Sequence, residues 1–188
     1  MRKFLMAAAL VAVTTPALVT PALAVTNWQI DPKVSKLTWV AQFNKQPVAG
    51  QFEKWSGVIA FDPNDLKNSS IAITVDLTSV QSGDANRDGT LKGPDFFNTA
   101  SAATATFVSK EIKKTSQGYV AGGMLTLGGV TKPLALPFTL DIKDKKALGQ
   151  GKIKLSRTAF GVGKGQWAKA GEIADLVEVT FTVSADAK

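Results

Sequence analysis

The stretch Ile71-Ala72-Ile73-Thr74-Val75-Asp76-Leu77 has the most regular alternation in the chain. Large aliphatic side chains occupy the odd positions, and small or polar side chains occupy the even ones. Successive side chains of a β-strand point to opposite faces, so this spacing predicts a strand that is buried on one side only. Such a strand needs other strands to cover its apolar face, and the sequence supplies them on both sides.

The same period of two recurs along the chain. The further predicted strands are 37–43, 48–52, 55–61, 104–112, 119–127, 134–140, 147–162 and 176–183. Gly128-Gly129 is a two-residue hairpin signal, whereas Pro133 and Pro137 indicate an edge or an irregular strand. Turn signals at intervals of roughly 8–15 residues are typical of antiparallel barrels and sandwiches. The sequence therefore predicts one all-β domain of about eight strands, with no linker that divides it.

Residues 86–97 interrupt this pattern. They combine charge, two glycines, a proline and the adjacent pair Phe96-Phe97. Pro lacks a backbone donor and Gly weakens a strand, so this composition does not fit a sheet. In a turn or a single helical turn, both Phe rings can lean towards one cavity. We expect a short helical or loop segment near residues 86–98 that closes one end of the β structure; the alternative is an ordinary surface loop with one buried Phe.

Residues 1–24 have the features of a secretory signal peptide. Arg2 and Lys3 form a basic start, and the apolar run 4–13 is too short to span a bilayer as a helix. Ala22-Leu23-Ala24 offers the small-x-small pattern of a cleavage site. We therefore expect cleavage between Ala24 and Val25, a mature domain of residues 25–188, and a location in the periplasm.

The charge of the chain does not indicate a nucleic-acid surface. The formal net charge is +7, and cleavage after residue 24 would leave +5. The lysines are dispersed through predicted turns, and Arg87 and Arg157 are the only arginines after residue 24. Nucleic-acid binding favours clustered arginine with interleaved aromatic residues. No nucleic-acid partner is expected, whereas weak contact with a membrane surface and formation of a homodimer are both compatible with this sequence.

The side chains offer little catalytic chemistry. The sequence contains no histidine and no cysteine, which removes the commonest general base, nucleophile partner and metal ligands. Asp84, Asp88 and Asp95 could form a paired-carboxylate hydrolase or a calcium site. Asp in turns more often caps backbone N–H groups. We expect no enzymatic activity, no metal and no cofactor.

Large apolar side chains are plentiful instead. Ten Phe and four Trp stand against one Tyr, a bias towards rings without a hydroxyl group. The interior of an eight-stranded barrel is wide enough to be filled by side chains or to hold one small ligand. The rings therefore fit either a plain core or the lining of a pocket for a long apolar molecule.

A set of short motifs extends this interpretation. In chain order they are Trp28-x-Ile30-Asp31, Ser35-x-Leu37-x-Trp39, Gly50-x-Phe52, Gly57-x-Ile59-x-Phe61-Asp62, Arg87-Asp88-x-x-Leu91-Lys92-x-x-Asp95-Phe96-Phe97, Phe107-x-Ser109, Gly123-x-Leu125-Thr126-Leu127-x-Gly129-Val130-Thr131-Lys132 and Phe160-Gly161. The chain thus closely resembles the YceI-like family of bacterial periplasmic polyisoprenoid-binding proteins over essentially all of residues 25–188. The resemblance implies a lipocalin-like, eight-stranded antiparallel barrel that carries, stores or sequesters an amphiphilic lipid without catalysis.

The expected ligand is a polyisoprenoid or another long-chain lipid held in the lumen. The candidate lumen residues are Trp39, Phe43, Phe52, Phe61, Phe97, Phe107, Leu125, Phe138, Phe160 and Phe181. Arg87 is the candidate for a polar or pyrophosphate head group, because Arg pairs bidentately with such anions. The alternative is a structural ion pair of Arg87 with Asp88 or Asp95.

Two positions depart from the family pattern. Many relatives carry His where this chain has Val34 and Thr90. If those histidines hold a head group, this protein recognises a different head or depends on the tail. Three other functions compete with a lipid carrier: a small outer-membrane barrel, an envelope structural protein and, less favoured, a carboxylate-dependent hydrolase.

Overall fold

The computed structural model describes residues 25–169 and 171–188, so the predicted signal peptide lies outside the described residues. The described part contains one α-helix, α1 (Ala85–Lys92), and eleven strands. The strands are β1 (Asn27–Ile30), β2 (Lys36–Phe43), β3 (Gln46–Phe52), β4 (Trp55–Ala60), β5 (Ser70–Asp76), β6 (Val80–Gln81), β7 (Thr104–Thr115), β8 (Gly118–Leu127), β9 (Val130–Lys143), β10 (Lys146–Ser156) and β11 (Leu176–Ala187). In this part of the chain, no helix has the length and apolar character needed to cross a bilayer.

The sheet closes on itself. Its neighbours run β1-β4-β5-β7-β8-β9-β10-β11, and β11 pairs again with β1. Every one of these pairs is antiparallel. The predicted eight-stranded antiparallel barrel is therefore confirmed.

Two wall positions are each built from two strands, and β6 is one further short strand, so eleven strands make an eight-stranded barrel. β1 and β2 follow each other along the same edge of β11: β1 pairs with 185–187 and β2 with 178–182. β3 pairs with β2 and β4 pairs with β1. β6 adds a short strand beside the end of β3.

The stretch 71–77 forms β5 and the short 3-10 turn after it, in the middle of the wall. Ile73 lies opposite Gly57 of β4 on one side and opposite Phe107 of β7 on the other. The large odd-numbered side chains line the interior, while Thr74 is exposed. The alternation therefore sets the inner and outer faces of the barrel, as predicted.

The β8–β9 hairpin turns at Gly128 and Gly129, whose φ angles of 59° and 80° lie in the region that favours glycine. β9 pairs with β8 from Val130 to Phe138, but with β10 only from Thr139 to Lys143. Its first half therefore has one unpaired edge. Pro133 and Pro137 lie in that half, in agreement with the predicted edge or irregular strand.

The chain departs from the sequence expectation after Ser156. A strand was expected to continue to Val162, but β10 ends at Ser156 and a 3-10 turn covers 158–160. Gly161 has a φ of 68°, which is incompatible with an extended strand. A loop of residues 157–175, called here the β10–β11 loop, then leads to β11, which extends beyond the predicted Val183 to Ala187.

Two clusters of apolar side chains close the ends of the barrel. The base cluster, at the end where β1 meets β11, contains the buried Trp28, Phe61, Phe107 and Phe138, and Tyr119 packs against it. The Trp28 indole donates a 2.9 Å hydrogen bond to the carbonyl of Phe61, and the Phe61 and Tyr119 rings meet edge to face. The mouth cluster, at the opposite end, contains Phe96, Phe160 and Val162.

Candidate functional site

A cavity of about 550 Å³ occupies the lumen between the two clusters. This volume lies within the roughly 300–1,000 Å³ typical of small-molecule sites. Its lining is almost entirely aliphatic and aromatic, and the strands around the whole barrel contribute to it. The polar residues of the lining are Arg87, Thr90, Ser156 and Arg157. The site is therefore suited to an apolar guest with few polar atoms.

All ten lumen residues expected from the sequence line this cavity. They are Trp39, Phe43, Phe52, Phe61, Phe97, Phe107, Leu125, Phe138, Phe160 and Phe181. Phe61, Phe107 and Phe138 are buried at the base, whereas Phe43 lies at the rim with 40% of its surface exposed. The sequence thus identifies the inward face of the strands that carry these residues, and contact of the side chains with a ligand remains a prediction.

The central segment covers the mouth of the lumen. Asp84 caps α1, because its carboxylate accepts hydrogen bonds from the N–H groups of Asn86 and Arg87. After the helix, Phe96 is buried in the mouth cluster and Phe97 packs against Phe52 with ring centres 5.8 Å apart. Both rings line the cavity, so the expectation that the adjacent pair leans towards one cavity is confirmed.

The β10–β11 loop covers the same mouth and joins the central segment. The carbonyl of Asp95 accepts two hydrogen bonds of 2.7 Å, from the N–H groups of Gly163 and Lys164. The rings of Phe96 and Trp167 lie 5.9 Å apart. Access to the lumen from this end therefore depends on two segments that hold each other.

Arg157 organises the β10–β11 loop and was not singled out as a site residue from the sequence. It is only 5% exposed, and its guanidinium donates to main-chain carbonyls around the loop. These acceptors belong to Val162, Gly163, Lys169, Ile173 and Ala174. The available sequence signal was slight: an arginine inside the predicted strand 147–162, in a chain that has few.

Burial and hydrogen bonding shift the pKa values of two charged residues at the start and the end of this loop, Arg157 and Asp175. Burial lowers the pKa of the Arg157 guanidinium from its ordinary value, and the Asp175 carboxylate opposes that shift. A hydrogen bond from the Thr158 hydroxyl, followed by one from Ser156, holds the pKa of Asp175 below its usual value. Asp175 therefore stays ionised and helps to fix the beginning of the loop.

Arg87 is held by Ser82 rather than by an acid. Its Nε donates to the Ser82 hydroxyl at 2.8 Å and its Nη2 to the Ser82 carbonyl at 2.9 Å. Asp88 accepts from the backbone N–H and the hydroxyl of the same Ser82. Among the described residues, no carboxylate oxygen lies within 4.0 Å of the Arg87 guanidinium nitrogens. The alternative of an ion pair with Asp88 or Asp95 is therefore wrong, because a serine links the arginine to the acid.

The acids of the central segment have structural partners. Asp84 caps the helix, Asp88 is buried against Ser82, and the main chain of Asp95 holds the loop. Within residues 25–169 and 171–188, no group of three or more acidic side chains could hold a metal ion. At the two positions that depart from the expected family pattern, Val34 is exposed between β1 and β2, and the Thr90 hydroxyl donates to the Asn86 carbonyl.

Comparisons with known proteins agree with this architecture. The YceI-like domain matches residues 28–185. A UPF0312 protein of Photorhabdus laumondii is 32% identical over 137 residues, which cover 69% of this chain and 71% of the relative. A UPF0312 protein of Serratia proteamaculans is 37% identical over 102 residues, which cover 54% of this chain. The matched region spans about half the length of that second relative.

Solved structures show the same fold. BcnA of Burkholderia cenocepacia superimposes with a TM-score of 0.79 at 29% identity, covering 82% of this chain and 98% of BcnA. A polyisoprenoid binding domain from Saccharophagus degradans gives a TM-score of 0.67 at 17% identity, covering 86% of this chain and 98% of that domain. The domain match extends over most of the described residues, and the closed barrel is the fold of these neighbours. The chain belongs to the YceI-like family.

Proposed function

We propose that this protein is a lipid carrier that holds an isoprenoid-type or fatty amphiphilic lipid in the lumen of its barrel. The observation that carries the proposal is the apolar cavity of about 550 Å³, closed by the base cluster and covered at the mouth by two linked segments. A domain that shares this fold is described as polyisoprenoid binding, which supports the same class of ligand here.

The energetics favour a ligand held mainly by its tail. Burial of each CH₂ group contributes about 0.8 kcal/mol, so a tail of about fifteen carbons offers roughly 12 kcal/mol before the costs of binding. An exposed ion pair contributes about 0–1 kcal/mol. A lumen lined by rings and aliphatic side chains therefore needs few polar contacts to retain such a molecule.

The side chains available for chemistry also favour binding without catalysis. The sequence has no histidine or cysteine, and Asp84 and Asp88 are engaged in capping and in holding Ser82. A carboxylate-dependent hydrolase would need two acids poised on opposite sides of a scissile bond. An enzymatic role for Asp95 predicts that Asp95→Asn abolishes an activity, whereas the carrier proposal predicts no activity to abolish.

The alternative of an outer-membrane barrel requires the opposite polarity. Such barrels carry an apolar band outside and a polar interior. Here the apolar side chains face the lumen, and ion pairs such as Lys152–Glu178 lie on the outer face of the wall. The arrangement therefore favours a carrier over a membrane-spanning barrel.

The proposed location is the periplasm, and it depends on export. The basic start, the short apolar run and Ala22-Leu23-Ala24 support cleavage before Val25. N-terminal sequencing of the protein from the periplasmic fraction should read Val25 as the first residue. An intact Met1 on protein from that fraction would contradict the cleavage.

A cavity-filling variant tests the carrier function. Gly149 lines the cavity, and a Cβ built there meets no atom nearer than 4.0 Å, so Gly149→Phe places a ring in the lumen without a backbone clash. Gln150, the next residue of β10, is exposed, so Gln150→Phe is the matched control. Native mass spectrometry with lipid extraction should find lipid on the unsubstituted protein and on Gln150→Phe, and little on Gly149→Phe. Equal lipid on all three proteins, or lipid on none, would contradict the proposal.

A further inference from the structure

The strand pairing of the wall is interrupted between β9 and β10. These strands pair from the turn that joins them up to Thr139 and Gln150, and within the described residues their ladder goes no further. Both strands nevertheless continue towards the mouth. We call the unpaired boundary between residues 131–137 and residues 151–156 the seam. Along the seam, the wall is not held together by a ladder of main-chain hydrogen bonds.

Two prolines account for the seam. In an antiparallel ladder, the N–H and C=O of every second residue point to the same neighbouring strand. The two-residue turn of the β8–β9 hairpin makes Leu127 and Val130 a hydrogen-bonded pair, so the even-numbered residues of β9 bond to β8 and the odd-numbered ones face β10. Pro133 and Pro137 are odd-numbered and have no N–H group. β9 therefore offers β10 no main-chain donor at either position.

The seam adjoins the lumen. Inward side chains from both of its strands line the cavity: Leu134, Leu136, Ile153 and Leu155. On either side of the seam, the β8–β9 and β10–β11 ladders run up to the mouth. At the seam itself, the two described strands can part without breaking such a ladder. Local opening therefore costs less here than at the neighbouring boundaries of the wall.

The β10–β11 loop closes the upper end of the seam. A Cβ at Gly128, in the β8–β9 turn, would lie 3.5 Å from the Phe160 carbonyl of this loop. At the lower end the strands touch, since a Cβ at Gly151 would lie 2.5 Å from the Pro137 carbonyl. The same loop is bonded to the central segment through the Asp95 carbonyl. One segment thus covers both the mouth and the top of the seam, and its movement joins them into a single slot.

We propose that the seam parts when the β10–β11 loop moves, and that a long lipid tail slides into the lumen sideways through this slot instead of threading end-on through the mouth alone. This inference rests on the proposed function. β10 is paired with β11 up to Ser156 and Leu176, so the upper part of both strands moves with the loop between them. Sideways entry suits a chain-like guest, because a flexible tail that must straighten before it enters loses conformational entropy.

A reversible bridge across the seam tests this route. The chain has no cysteine, so pairs of introduced thiols can be joined with a short bis-methanethiosulfonate reagent. Ala135→Cys with Lys154→Cys places one exposed thiol on each side of the seam. Thr139→Cys with Gln150→Cys is the matched control, because these exposed residues already lie opposite each other in the paired part of the same strands.

Stopped-flow tryptophan fluorescence measures the uptake and release of two prenyl alcohols, the long geranylgeraniol and the short geraniol. Bridging the seam should slow both uptake and release of geranylgeraniol about tenfold, the factor that corresponds to about 1.4 kcal/mol in the barrier. Its equilibrium affinity should change by less than about twofold, because both rates fall together. The rates of geraniol should stay the same, and dithiothreitol should restore those of geranylgeraniol.

The outcomes separate the route from the function. If geranylgeraniol has the same rates in the two bridged proteins, or if geraniol is slowed as much as geranylgeraniol, sideways entry is wrong and the carrier function stands. If the unsubstituted protein binds neither alcohol, the carrier function itself fails.

Hydrogen exchange of the unsubstituted protein tests the seam without any substitution. The N–H groups of Leu148 and Lys154 both face β9, the first in the paired part of β10 and the second in the seam. The Lys154 amide should exchange at least about tenfold faster than the Leu148 amide, because no ladder protects it. Equal protection of the two amides would show a paired boundary and overturn the inference.

Discussion

The carbonyl oxygen of Asp95 lies 2.7 Å from the amide nitrogen of Gly163, so the central segment and the β10–β11 loop are bonded directly over the mouth of the lumen. The Phe96 and Trp167 rings meet beside this bond. These contacts are not part of the strand pairing of the wall. They can therefore open while the barrel remains intact, since local opening costs less than global unfolding. For the proposed carrier, we therefore expect a long guest to enter through the mouth.

Phe97→Ala should weaken lipid binding more than it weakens folding. Phe97 is half-buried and packs on Phe52 at the mouth, whereas truncation of a core Phe costs about 3–5 kcal/mol of stability. Phe107→Ala, in the buried base cluster, is the matched core truncation. Urea denaturation gives the free energy of unfolding, and a lipid titration gives the affinity. The role of Phe97 at the mouth is contradicted if Phe97→Ala loses as much stability as Phe107→Ala and still binds lipid normally.

Arg157→Leu should destabilise the protein by several kcal/mol. The guanidinium satisfies carbonyls that the loop otherwise buries, and each buried group left without a partner costs about 1–3 kcal/mol. The stability of Arg157→Lys should lie between that of the unsubstituted protein and that of Arg157→Leu, because an ammonium group offers three donors in a different geometry. Lys154→Leu, at an exposed site of the same strand, is the control and should change stability little. Denaturation curves distinguish them, and equal midpoints for Arg157→Leu and Lys154→Leu would contradict the structural role.

The barrel was predictable because its signal is local. A period of two in residues such as Ile71, Ile73 and Val75 is enough to assign an inner face, and a set of such strands in a chain of this length has few architectures open to it. The strand count of eleven was not predictable. It arises because two wall positions are each divided between two strands, β1 with β2 and β3 with β4, and because the short β6 pairs with the end of β3.

The site residues that lie on the inward faces of strands could be predicted from the sequence. The residues whose role depends on contacts with distant parts of the chain could not. The ten lumen residues line the cavity because they occupy inward positions or the adjoining turns. The partners of Arg157, by contrast, lie up to 17 residues away in a loop with no regular pattern. The serine that separates Arg87 from Asp88 is likewise a matter of side-chain geometry, which residue spacing does not encode.

Gly151→Ala should destabilise the barrel, whereas Gly149→Ala on the same strand should not. A Cβ at Gly151 would lie 2.2 Å from Phe181 Cζ and 2.5 Å from the Pro137 carbonyl, but one at Gly149 has nothing closer than 4.0 Å. Overpacking of this kind costs about 1–3 kcal/mol, because the Phe181 ring must leave its place in the lumen wall. Thermal and urea denaturation measure the difference. Equal stability of the two variants would contradict the close contact between β10 and Phe181.

Lipid affinity should follow tail length and depend little on salt. The lumen is lined by apolar side chains, and the polar contacts available to a head group are few. Each additional buried CH₂ should therefore tighten binding by up to ~0.8 kcal/mol until the lumen is full. Higher ionic strength should change little, because salt screens mainly exposed charges.

The measurement is a titration series of prenyl alcohols and their diphosphates, at low and at high salt, with the unsubstituted protein and with Arg87→Ala. If the tail dominates, shortening it by several carbons costs more affinity than Arg87→Ala, because the guanidinium contributes one head-group contact at most. If an anionic head held by Arg87 dominated instead, Arg87→Ala would cost more and the diphosphates would lose affinity in high salt. Flat affinity across tail lengths, or tight binding by the diphosphates alone, would contradict binding driven by the tail and assign the lumen to head-group recognition.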